Sequence, residues 1–439
     1  MSSSSRSAPE QDARRNDGAG LELRPFRAVR YAPDEVRLDA VTSPPYDLID
    51  PDEADRLERR EAHNVVRLVL PDPAATARSQ RYRRAARLLQ EWLASGPLRR
   101  DAAPALYVYE ERDADGVHRG LLGAVGLRAP EQRIVLPHED VHPVPVADRV
   151  AQMRATNANL EPIYLLVPDT GDAASVVDAV AEHEPPLAEV RAEAGVGDGA
   201  HVGYRLWAVT DERRLATVAA ALAPCEALIA DGHHRYAAYR AIQDGHHTDG
   251  DGPGPWDYGL ALVVDAAAYP PTLRPIHRVL RDVPVPVFLA GLPDTAEVRS
   301  AGRDLADAVS LLDGRRAGGQ HRFVLGGGER FLLVTLDRDA VGVHLPGGRS
   351  AAWRDLDVTA LHHGILDPLL HVPDDDVTFV HAAEPAVRMA QRSGGTAVLL
   401  AAPTVEDVHA IAAAGERMPR KSTSFGPKPR NGFVLRLLD

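Results

Sequence analysis

The chain has 439 residues, 44% of them hydrophobic, which is enough to bury a large core and to form two or three domains. Its formal net charge of −13 argues against a broad basic face, so we expect no nucleic-acid partner. The single cysteine, Cys225, excludes an intrachain disulfide framework and a zinc site built from several cysteines.

The first twenty residues are rich in serine and charged residues and contain no apolar run. They therefore predict a disordered tail at 1–20 and no signal peptide. No later segment is apolar for long enough to span a bilayer. We expect a cytoplasmic protein without a membrane partner.

The predicted elements mix strands and helices without strict alternation. Strands are expected for LRPFRAVRY, residues 65–70 (VVRLVL), EALIA, LALVVD, TAVLLAAP and GFVLRLL, and helices for RRAARLLQEWL, ATVAAALA, RYAAYRAI and VEDVHAIAAAGERM. Hairpins are expected around Asp115-Gly116 and residues 326–328, while Pro44-Pro45 predicts a stiff extended loop. This mixture predicts an α+β, or mixed α/β, fold.

The most informative stretch is ALIADGHHRYAAYR, in which a buried strand leads through a short polar turn into a helix that begins near Arg235. Such a turn presents free backbone N–H groups and the positive end of the helix dipole, which suit a phosphate. Gly232 lets the backbone approach closely, and His233 and His234 can donate hydrogen bonds or carry protons. Arg235 can bind a phosphate through two N–H groups. The alternative is Asp231 as a helix cap, followed by solvated histidines.

The DGHHRY turn resembles the phosphate-binding motif of the ParB/sulfiredoxin-like superfamily and, among its members, that of free serine kinases most closely. The chain also resembles the family called domain of unknown function 1015 in RPFRAVRY, SPPYDLI, HNVVRLVLP, LPHEDVHPVPVADR, ATNANLEPIY, DGHHRY, PIHRVL and MPRKSTSFGPKP. These motifs run from about residue 23 to the carboxyl terminus. One departure is Ser424-Phe425-Gly426, where such proteins tend to carry aromatic residues. The resemblance implies a ParB/sulfiredoxin-like core elaborated by β-hairpins and a C-terminal α/β segment.

The segment LPHEDVHPVP formally matches the zinc-protease pattern H-E-x-x-H. That pattern binds zinc only on a helix, which Pro143 and Pro145 would end, so we expect a loop without zinc. In such a loop Glu139 can act as a general base and Asp140 can help to hold magnesium. The alternative is a solvated charged loop.

Two other polar segments are candidates for substrate binding. Ser43, Tyr46 and Asp47 lie on the stiff SPPYD loop, which can hold a substrate group in place, although a turn-forming role for Asp47 is the alternative. Asn157 and Asn159 follow a predicted helix, and their amides can bind the polar ends of a small molecule or cap that helix.

The only two lysines, Lys421 and Lys428, lie in PRKSTSFGPKPR near the carboxyl terminus of an otherwise arginine-rich chain. The KST letters do not form a Walker loop, because Arg420 replaces the glycine that such a loop needs. We expect a polar loop, called the KST loop below, that reaches back into the active cleft and contacts phosphate through Lys421, Ser422, Thr423 and Lys428. The alternative is a surface loop.

These features and the resemblance together predict a small-molecule kinase that transfers phosphate from ATP or ADP to a hydroxyl group, with Mg²⁺ as cofactor. The resemblance to free serine kinases implies free serine as the expected substrate. Glu139 would take the hydroxyl proton, the two histidines of the turn would assist, and Asp140 or Asp231 would hold the magnesium. A phosphoserine phosphatase using the same site, or a non-catalytic ParB-like nucleotide-binding regulatory protein, is the alternative.

The domains expected for such an enzyme are a catalytic, nucleotide-binding domain at 21–268 and a C-terminal α/β domain at 269–439 that closes the cleft with the KST loop. The expected partners are a nucleotide and a small hydroxyl-bearing substrate, and a homodimer is compatible with the sequence. The His277-Arg278 pair in PIHRVL ends a proline-rich loop and indicates no definite role.

Overall fold

A computed structural model describes residues 20–71, 78–114, 116–193, 201–312 and 319–439. The strands are β1 Leu23–Arg24, β2 Val29–Tyr31, β3 Leu98–Arg100, β4 Leu106–Arg112, β5 Val117–Gly126, β6 Val135–Leu136, β7 Ala158–Asn159, β8 Ile163–Val167, β9 Ala188–Glu193, β10 His201–Val209, β11 Ala227–Asp231, β12 Tyr258–Asp265, β13 Thr272–Arg274, β14 His277–Leu280, β15 Glu297–Ser300, β16 Gln320–Gly326, β17 Leu332–Asp337, β18 Val377–Val380, β19 Thr396–Leu399, β20 Ser424–Gly426 and β21 Arg436–Leu437.

The α-helices are α1 Leu38–Val41, α2 Pro51–Arg60, α3 Val66–Val69, α4 Arg78–Ser95, α5 Pro143–Thr156, α6 Asp172–His183, α7 Glu212–Leu222, α8 His233–Asp249, α9 Val285–Ala290, α10 Leu305–Ser310, α11 Arg338–Gly342, α12 Ala351–Arg354, α13 Asp357–Leu361, α14 Ala383–Ser393 and α15 Val405–Ala413. Short 3₁₀ turns lie at Tyr46–Leu48, Pro130–Gln132, Pro255–Asp257 and Asp374–Asp376, and a π-helical turn lies at His362–Leu366. Among the helices of the described ranges, none combines the length and the apolar character needed to cross a membrane.

Within the described residues, nine strands form one large sheet in the order β6-β11-β8-β12-β5-β4-β10-β9, with β1 beside the end of β5. Most neighbours are antiparallel, but β6 is parallel to β11 and β8 is parallel to β12. Because β6 and β11 are parallel neighbours, the loop after β6 and the turn after β11 lie at the same edge of the sheet. Since β8 runs antiparallel to β11, the residues just before β8 reach that edge as well.

Successive side chains along a strand point to opposite faces of the sheet, and both faces of this sheet are buried. In β12, Ala261 and Val263 face a core shared with helices α5 to α8. Leu260 and Leu262 face the opposite core, which also includes Phe323 of the second sheet. The two sheets therefore share one continuous apolar core.

The second sheet has the order β15-β17-β16-β19-β14-β18 in the described part of the chain and is antiparallel throughout. The carboxyl-terminal segment then pairs with residues that precede β8 in the chain. Ser43 and Asn431 form a backbone bridge, Val29 pairs with Leu435, and β21 pairs with β7. The domain boundary predicted at residue 268/269 stays a prediction. The segment after Lys428 nevertheless pairs with residues of the predicted amino-terminal domain.

The mixed α/β class and both predicted hairpins are confirmed, since β4 pairs with β5 and β16 pairs with β17. The predicted tail lies outside the described residues except for Gly20, and so does Asp115 of the first hairpin turn. The final strand is shorter than expected, because GFVLRLL contributes only β21 and an isolated bridge at Leu435.

The predicted strand at residues 65–70 is wrong, because this segment forms helix α3. The side chain of Asn64 stabilises the turn: its Oδ1 accepts a hydrogen bond from the N–H of Val66 at 2.9 Å, and its Nδ2 donates to the carbonyl of Ala40 at 2.6 Å. Val65, Val66, Leu68 and Val69 are all fully buried. A continuous apolar run fits a buried helix as well as a buried strand, so its pattern could not separate the two.

Candidate functional site

The DGHHR turn connects the end of β11 to helix α8, which begins at His233, two residues before the predicted start. Gly232 precedes the helix with a φ of 95°, a left-handed conformation that favours glycine. A Cβ atom at this position would also lie 2.9 Å from Cγ2 of Ile163 on the neighbouring strand. The turn therefore needs glycine for both its conformation and its close packing on β8.

Asp231 lies between two cations at this turn. Its Oδ2 accepts a hydrogen bond from the guanidinium of Arg235, and its Oδ1 is 2.6 Å from Nζ of Lys428. Burial alone would raise the pKa of Asp231, but Lys428 and Arg235 outweigh burial and lower the pKa below its ordinary value. Lys428 also pairs with Asp47 of the SPPYD loop. Lys428 is thus a clamp that joins three distant segments of the chain.

Arg235 is buried and already has protein partners. Besides Asp231, its guanidinium donates to the carbonyl of Pro162 at 2.5 Å and lies 5.7 Å from the ring centre of Tyr46. Arg235 therefore does not present a free fork, because its two terminal nitrogens hold the turn against Asp231 and the start of β8. Its Nε is buried and has no hydrogen-bond partner in the described structure.

The two histidines of the turn bind the HEDVH loop. Nε2 of His233 accepts a hydrogen bond from the backbone N–H of His138 at 3.3 Å, and Nε2 of His234 accepts one from the N–H of His142 at 3.1 Å. Burial, followed by the neighbouring imidazole, lowers the pKa of His233 and of His234. Both rings therefore accept at Nε2 and position the HEDVH loop, which leaves Nδ1 of each ring as the nitrogen that can donate, so their predicted contact with phosphate stays a prediction.

His138 then joins the HEDVH loop to the KST loop. Its Nε2 lies 2.8 Å from the hydroxyl oxygen of Thr423, and its carbonyl accepts a hydrogen bond from the N–H of Met418 at 2.8 Å. Burial lowers the pKa of His138 to about 3, so the ring is neutral near physiological pH. The loop after β6, the turn after β11 and the KST loop therefore form one connected unit.

Glu139 is held at the centre of this unit. Its Oε1 is shielded from solvent and has no hydrogen-bond partner within the described part of the chain. Burial raises the pKa of Glu139; the charge of Lys421 opposes this rise, and the backbone N–H of Ser422 adds a smaller opposing hydrogen bond. A carboxylate with a raised pKa, an unused oxygen and an adjacent cation has the properties of a general base.

The residues predicted for magnesium do not form a site built by the protein. Asp231 is shared by two cations, and the side chain of Asp140 is 87% exposed, with Nε of Arg417 at 3.9 Å. In the ranges that the structure describes, no group of three or more His, Cys, Asp or Glu side chains could hold a metal ion. Residues 138–142 form a loop, and helix α5 begins only at Pro143.

The KST loop offers one accessible cation. Lys421 is exposed, has a left-handed φ of 55°, and its charge acts on Glu139 and His234. Ser422 is buried and donates its hydroxyl to the carbonyl of Pro419, while the Thr423 hydroxyl contacts His138. The Ser422 hydroxyl is therefore used inside the protein, whereas the predicted phosphate contact from Thr423 stays a prediction, because a hydroxyl that faces His138 can still form a second hydrogen bond.

The SPPYD loop lies against the same turn, but its residues are largely engaged. Ser43 is fully buried, with its hydroxyl on the carbonyl of Pro44 at 3.0 Å. The ring of Tyr46 lies 5.0 Å from the guanidinium carbon of Arg149, and Asp47 pairs with Lys428. Ser43 is therefore structural, whereas Tyr46 and Asp47 lie beside the site.

Asn157 and Asn159 do not join the site as predicted. Asn157 has a φ of 49° and ends α5 as its C-cap. Asn159 is buried, and its Oδ1 accepts hydrogen bonds from the N–H of Leu260 at 3.2 Å and from Arg436 at 3.0 Å. Both residues therefore have structural roles. Asn157 caps α5, which was the alternative considered from the sequence, and Asn159 accepts hydrogen bonds within the core.

Two site residues were not predicted from the sequence. Glu161 is buried beside Arg235 and Arg149, accepts a hydrogen bond from Nδ2 of Asn431 at 2.7 Å, and has a pKa raised by burial. It reaches the turn because β8, which follows it, is antiparallel to β11. His381, after β18, has a pKa lowered by partial burial and then by the two lysine charges. The positions of both residues near the site depend on strand pairing. The one sequence signal is that Glu161 lies in the ATNANLEPIY motif.

Comparisons with known proteins place the chain in a family. No curated protein sequence matches it. Among solved structures, a free serine kinase in complex with AMP is 14% identical with a TM-score of 0.34, covering 69% of this chain and 89% of its own. A conserved hypothetical protein from Pyrococcus furiosus is 15% identical with a TM-score of 0.33, covering 69% and 92%. SbnI with a C-terminal truncation, from Staphylococcus aureus, is 11% identical with a TM-score of 0.36, covering 72% and 87%.

These TM-scores are too low for the structural likeness to carry an argument about function. The family model described as protein of unknown function, DUF1015, matches residues 23–359, so the MPRKSTSFGPKP segment lies beyond the match. Because that match takes in well over half of the sequence, the chain belongs to the DUF1015 family.

Proposed function

We propose that this protein is a phosphotransferase that moves a phosphoryl group from ATP or ADP to the hydroxyl group of a small molecule, with free serine as the first candidate. The observation that carries the proposal is Glu139, whose shielded and unpartnered Oε1 lies beside the charge of Lys421 in the described structure. The reaction class comes from the resemblance of the DGHHRY turn to the phosphate-binding motif of free serine kinases.

In this proposal Glu139 is the general base. Its raised pKa makes it a better proton acceptor than an ordinary glutamate, and the charge of Lys421 opposes that rise. The substrate O–H bond breaks as its proton moves to Oε1, the substrate oxygen forms a bond to phosphorus, and the shortened nucleotide leaves with the electron pair of the broken P–O bond. The substrate hydroxyl would thus supply the hydrogen bond that Oε1 lacks.

The phosphates would lie between the amino end of α8 and the KST loop. Helix α8 offers its first backbone N–H groups and the positive end of its dipole, and Lys421 adds an exposed positive charge. Phosphoryl transfer depends mainly on such positioning and charge neutralisation. Lys428 would act indirectly, since its ammonium group already holds Asp231 and Asp47.

Magnesium would supply further neutralisation of the nucleotide's charge. Because the described residues do not build a site for it, no step of the proposal depends on it. The division into a catalytic domain and a C-terminal domain that closes the cleft, and the cytoplasmic location, are parts of the same proposal.

The proposal is tested by incubating the pure protein with ATP or ADP, magnesium chloride and a panel of hydroxy amino acids. We expect a phosphorylated product with at least one nucleotide. Release of phosphate from phosphoserine without nucleotide would instead identify a phosphatase. Nucleotide binding without any turnover would favour the regulatory alternative, and both results would overturn the kinase.

A further inference from the structure

Arg278 is a buried arginine outside the site described above. It has no solvent exposure, and its guanidinium donates three hydrogen bonds. Nε donates to Nε2 of His362 at 3.0 Å, Nη2 donates to the carbonyl of Arg420 at 3.1 Å, and Nη1 donates to the carbonyl of Ile276. Burial lowers the pKa of Arg278 to about 9, although the charges of Asp374 and Glu139 oppose this change.

The hydrogen bond between Nδ1 of His362 and Asp374 determines which ring nitrogen of His362 is the acceptor. Its Nδ1 lies 2.8 Å from Oδ1 of Asp374, so Nδ1 carries the proton and Nε2 is free to accept from Arg278. The ring of Phe379 covers both groups, 5.2 Å from the Arg278 guanidinium carbon and 6.4 Å from the His362 ring centre. His362 also begins a π-helical turn, a local structure that is often found at functional sites.

The hydrogen bond to the carbonyl of Arg420 connects Arg278 to the site described above. The carbonyl of Arg420 belongs to the peptide bond directly before Lys421, which has the left-handed φ of 55°. This conformation is uncommon for a residue with a side chain, so contacts to the peptide before it help to hold it. The hydrogen bond from Arg278 is one such contact, on the backbone from which Lys421 projects.

We propose that Arg278 is a positioning residue that holds Lys421 beside Glu139, and that it does so only while His362 is neutral. The importance of Lys421 for phosphate rests on the proposed function, but the placement of its backbone does not. If His362 becomes protonated, its Nε2–H and the Nε–H of Arg278 are two donors facing each other, and two positive charges meet in a buried place.

This arrangement makes the loop sensitive to acid. The charged and titratable groups that act on His362 are Asp374, Arg278 and His363, and those that act on Arg278 are Asp374 and Glu139. Burial lowers the pKa of His362, with Asp374 opposing, so protonation occurs below its ordinary value of about 6.5. The loop is expected to be held at neutral pH and released as the pH falls further.

Hydrogen exchange of residues 418–423 in the full-length protein tests the proposal without any assay of activity. Arg278→Lys keeps the charge but cannot reach three acceptors with a planar fork, so we expect at least ten-fold faster exchange in this segment. The control is Arg281→Lys, an exposed change just after the same strand, which should leave exchange unchanged. Unchanged exchange in a folded Arg278→Lys protein would overturn the proposal.

A second variant separates positioning from mere packing and remains informative if Arg278→Lys does not fold. His362→Gln keeps a hydrogen-bond acceptor that cannot be protonated, so protection of residues 418–423, corrected for intrinsic exchange, should no longer fall in acid. Wild type and the control His363→Gln should both lose protection as the pH is lowered. The same acid response in all three proteins would contradict the role of His362.

The two proposals fail in distinguishable ways. If exchange responds as expected but wild type yields no phosphorylated product, the proposed function fails and the positioning role stands. If wild type is active but exchange does not respond to Arg278→Lys, the positioning role fails alone.

Discussion

Nζ of Lys428 lies 2.6 Å from Oδ1 of Asp231, which ties the end of the chain to the turn before helix α8. The same ammonium group pairs with Asp47 near the beginning of the chain. Asp231 and Asp47 together raise the pKa of Lys428 against the opposing effect of burial, which favours the charged ammonium group. Lys421, seven positions earlier, is exposed and forms no comparable clamp in the described structure.

Replacing Lys428 is therefore expected to destabilise the fold. Lys428→Met leaves Asp47 unpaired and Asp231 with Arg235 alone, so the free energy of unfolding should fall by roughly 1.5–3 kcal/mol. The control is Arg99→Met, because Arg99 also pairs with two carboxylates, Asp34 and Glu35, but in solvent. Exposed pairs contribute about 0–1 kcal/mol. Equal losses in the two variants, measured by denaturant unfolding, would show that the clamp is no stronger than a surface pair.

Replacing Lys421 is expected to affect ligand binding and turnover instead. Lys421→Met keeps most of the aliphatic stem and removes the charge, so the melting temperature should change little while nucleotide affinity falls by roughly ten- to hundred-fold. Lys421→Arg should rescue only part of the loss, because a planar fork replaces a point charge. Arg420→Met, at the adjacent exposed position, is the matched control for calorimetry. Full affinity in Lys421→Met would remove this lysine from the phosphate site.

The buried carboxyl of Glu111 predicts a pH dependence of stability. Burial, followed by the charge of Asp113, raises the pKa of Glu111 to about 8. The native state thus keeps a proton that the unfolded chain loses near pH 4.3. This contribution to stability is complete below about pH 4.3 and disappears as the pH rises through 8.

Denaturant unfolding at several pH values checks this expectation. Glu111→Gln cannot titrate, so its stability relative to wild type should increase from pH 5 to about pH 8 and level off above that pH. Glu189→Gln, an exposed change on β9, is the control and should follow the wild-type curve. A constant difference between Glu111→Gln and wild type across this range would refute the raised pKa.

Local sequence patterns could predict the strand, turn and helix of the DGHHR segment because these elements depend on neighbouring residues. Gly232 shows this, since both its conformation and its position before α8 follow from the local motif. The partners of Arg235 could not be predicted in the same way. Its ion pair with Asp231 spans four positions of the chain, but its bond to Pro162 depends on the pairing of β8 with β11.

The roles of the polar side chains were harder to predict than their presence near the site. Thr423 and Ser422 do lie in the loop that reaches the site, but their hydroxyls form internal hydrogen bonds. A hydroxyl looks the same in a sequence whether it contacts a ligand or a neighbouring carbonyl. Asn159 was misassigned for the same reason, because its amide is used within the core.

Glu139→Gln is the substitution that tests the central claim most directly. It keeps the size of the side chain and removes the base, so nucleotide binding measured by calorimetry should stay within about two-fold of wild type. Glu131→Gln, an exposed change on the turn before β6, is the control and should behave as wild type in every assay.

The deciding measurement is phosphorus NMR of wild type, Glu139→Gln and Glu131→Gln, each incubated with nucleotide, magnesium chloride and a hydroxy amino acid. The account predicts a phosphomonoester signal from wild type and Glu131→Gln and at least a hundred-fold slower formation with Glu139→Gln. A phosphomonoester formed equally fast by Glu139→Gln, or by none of the three proteins with either ATP or ADP, would contradict the account.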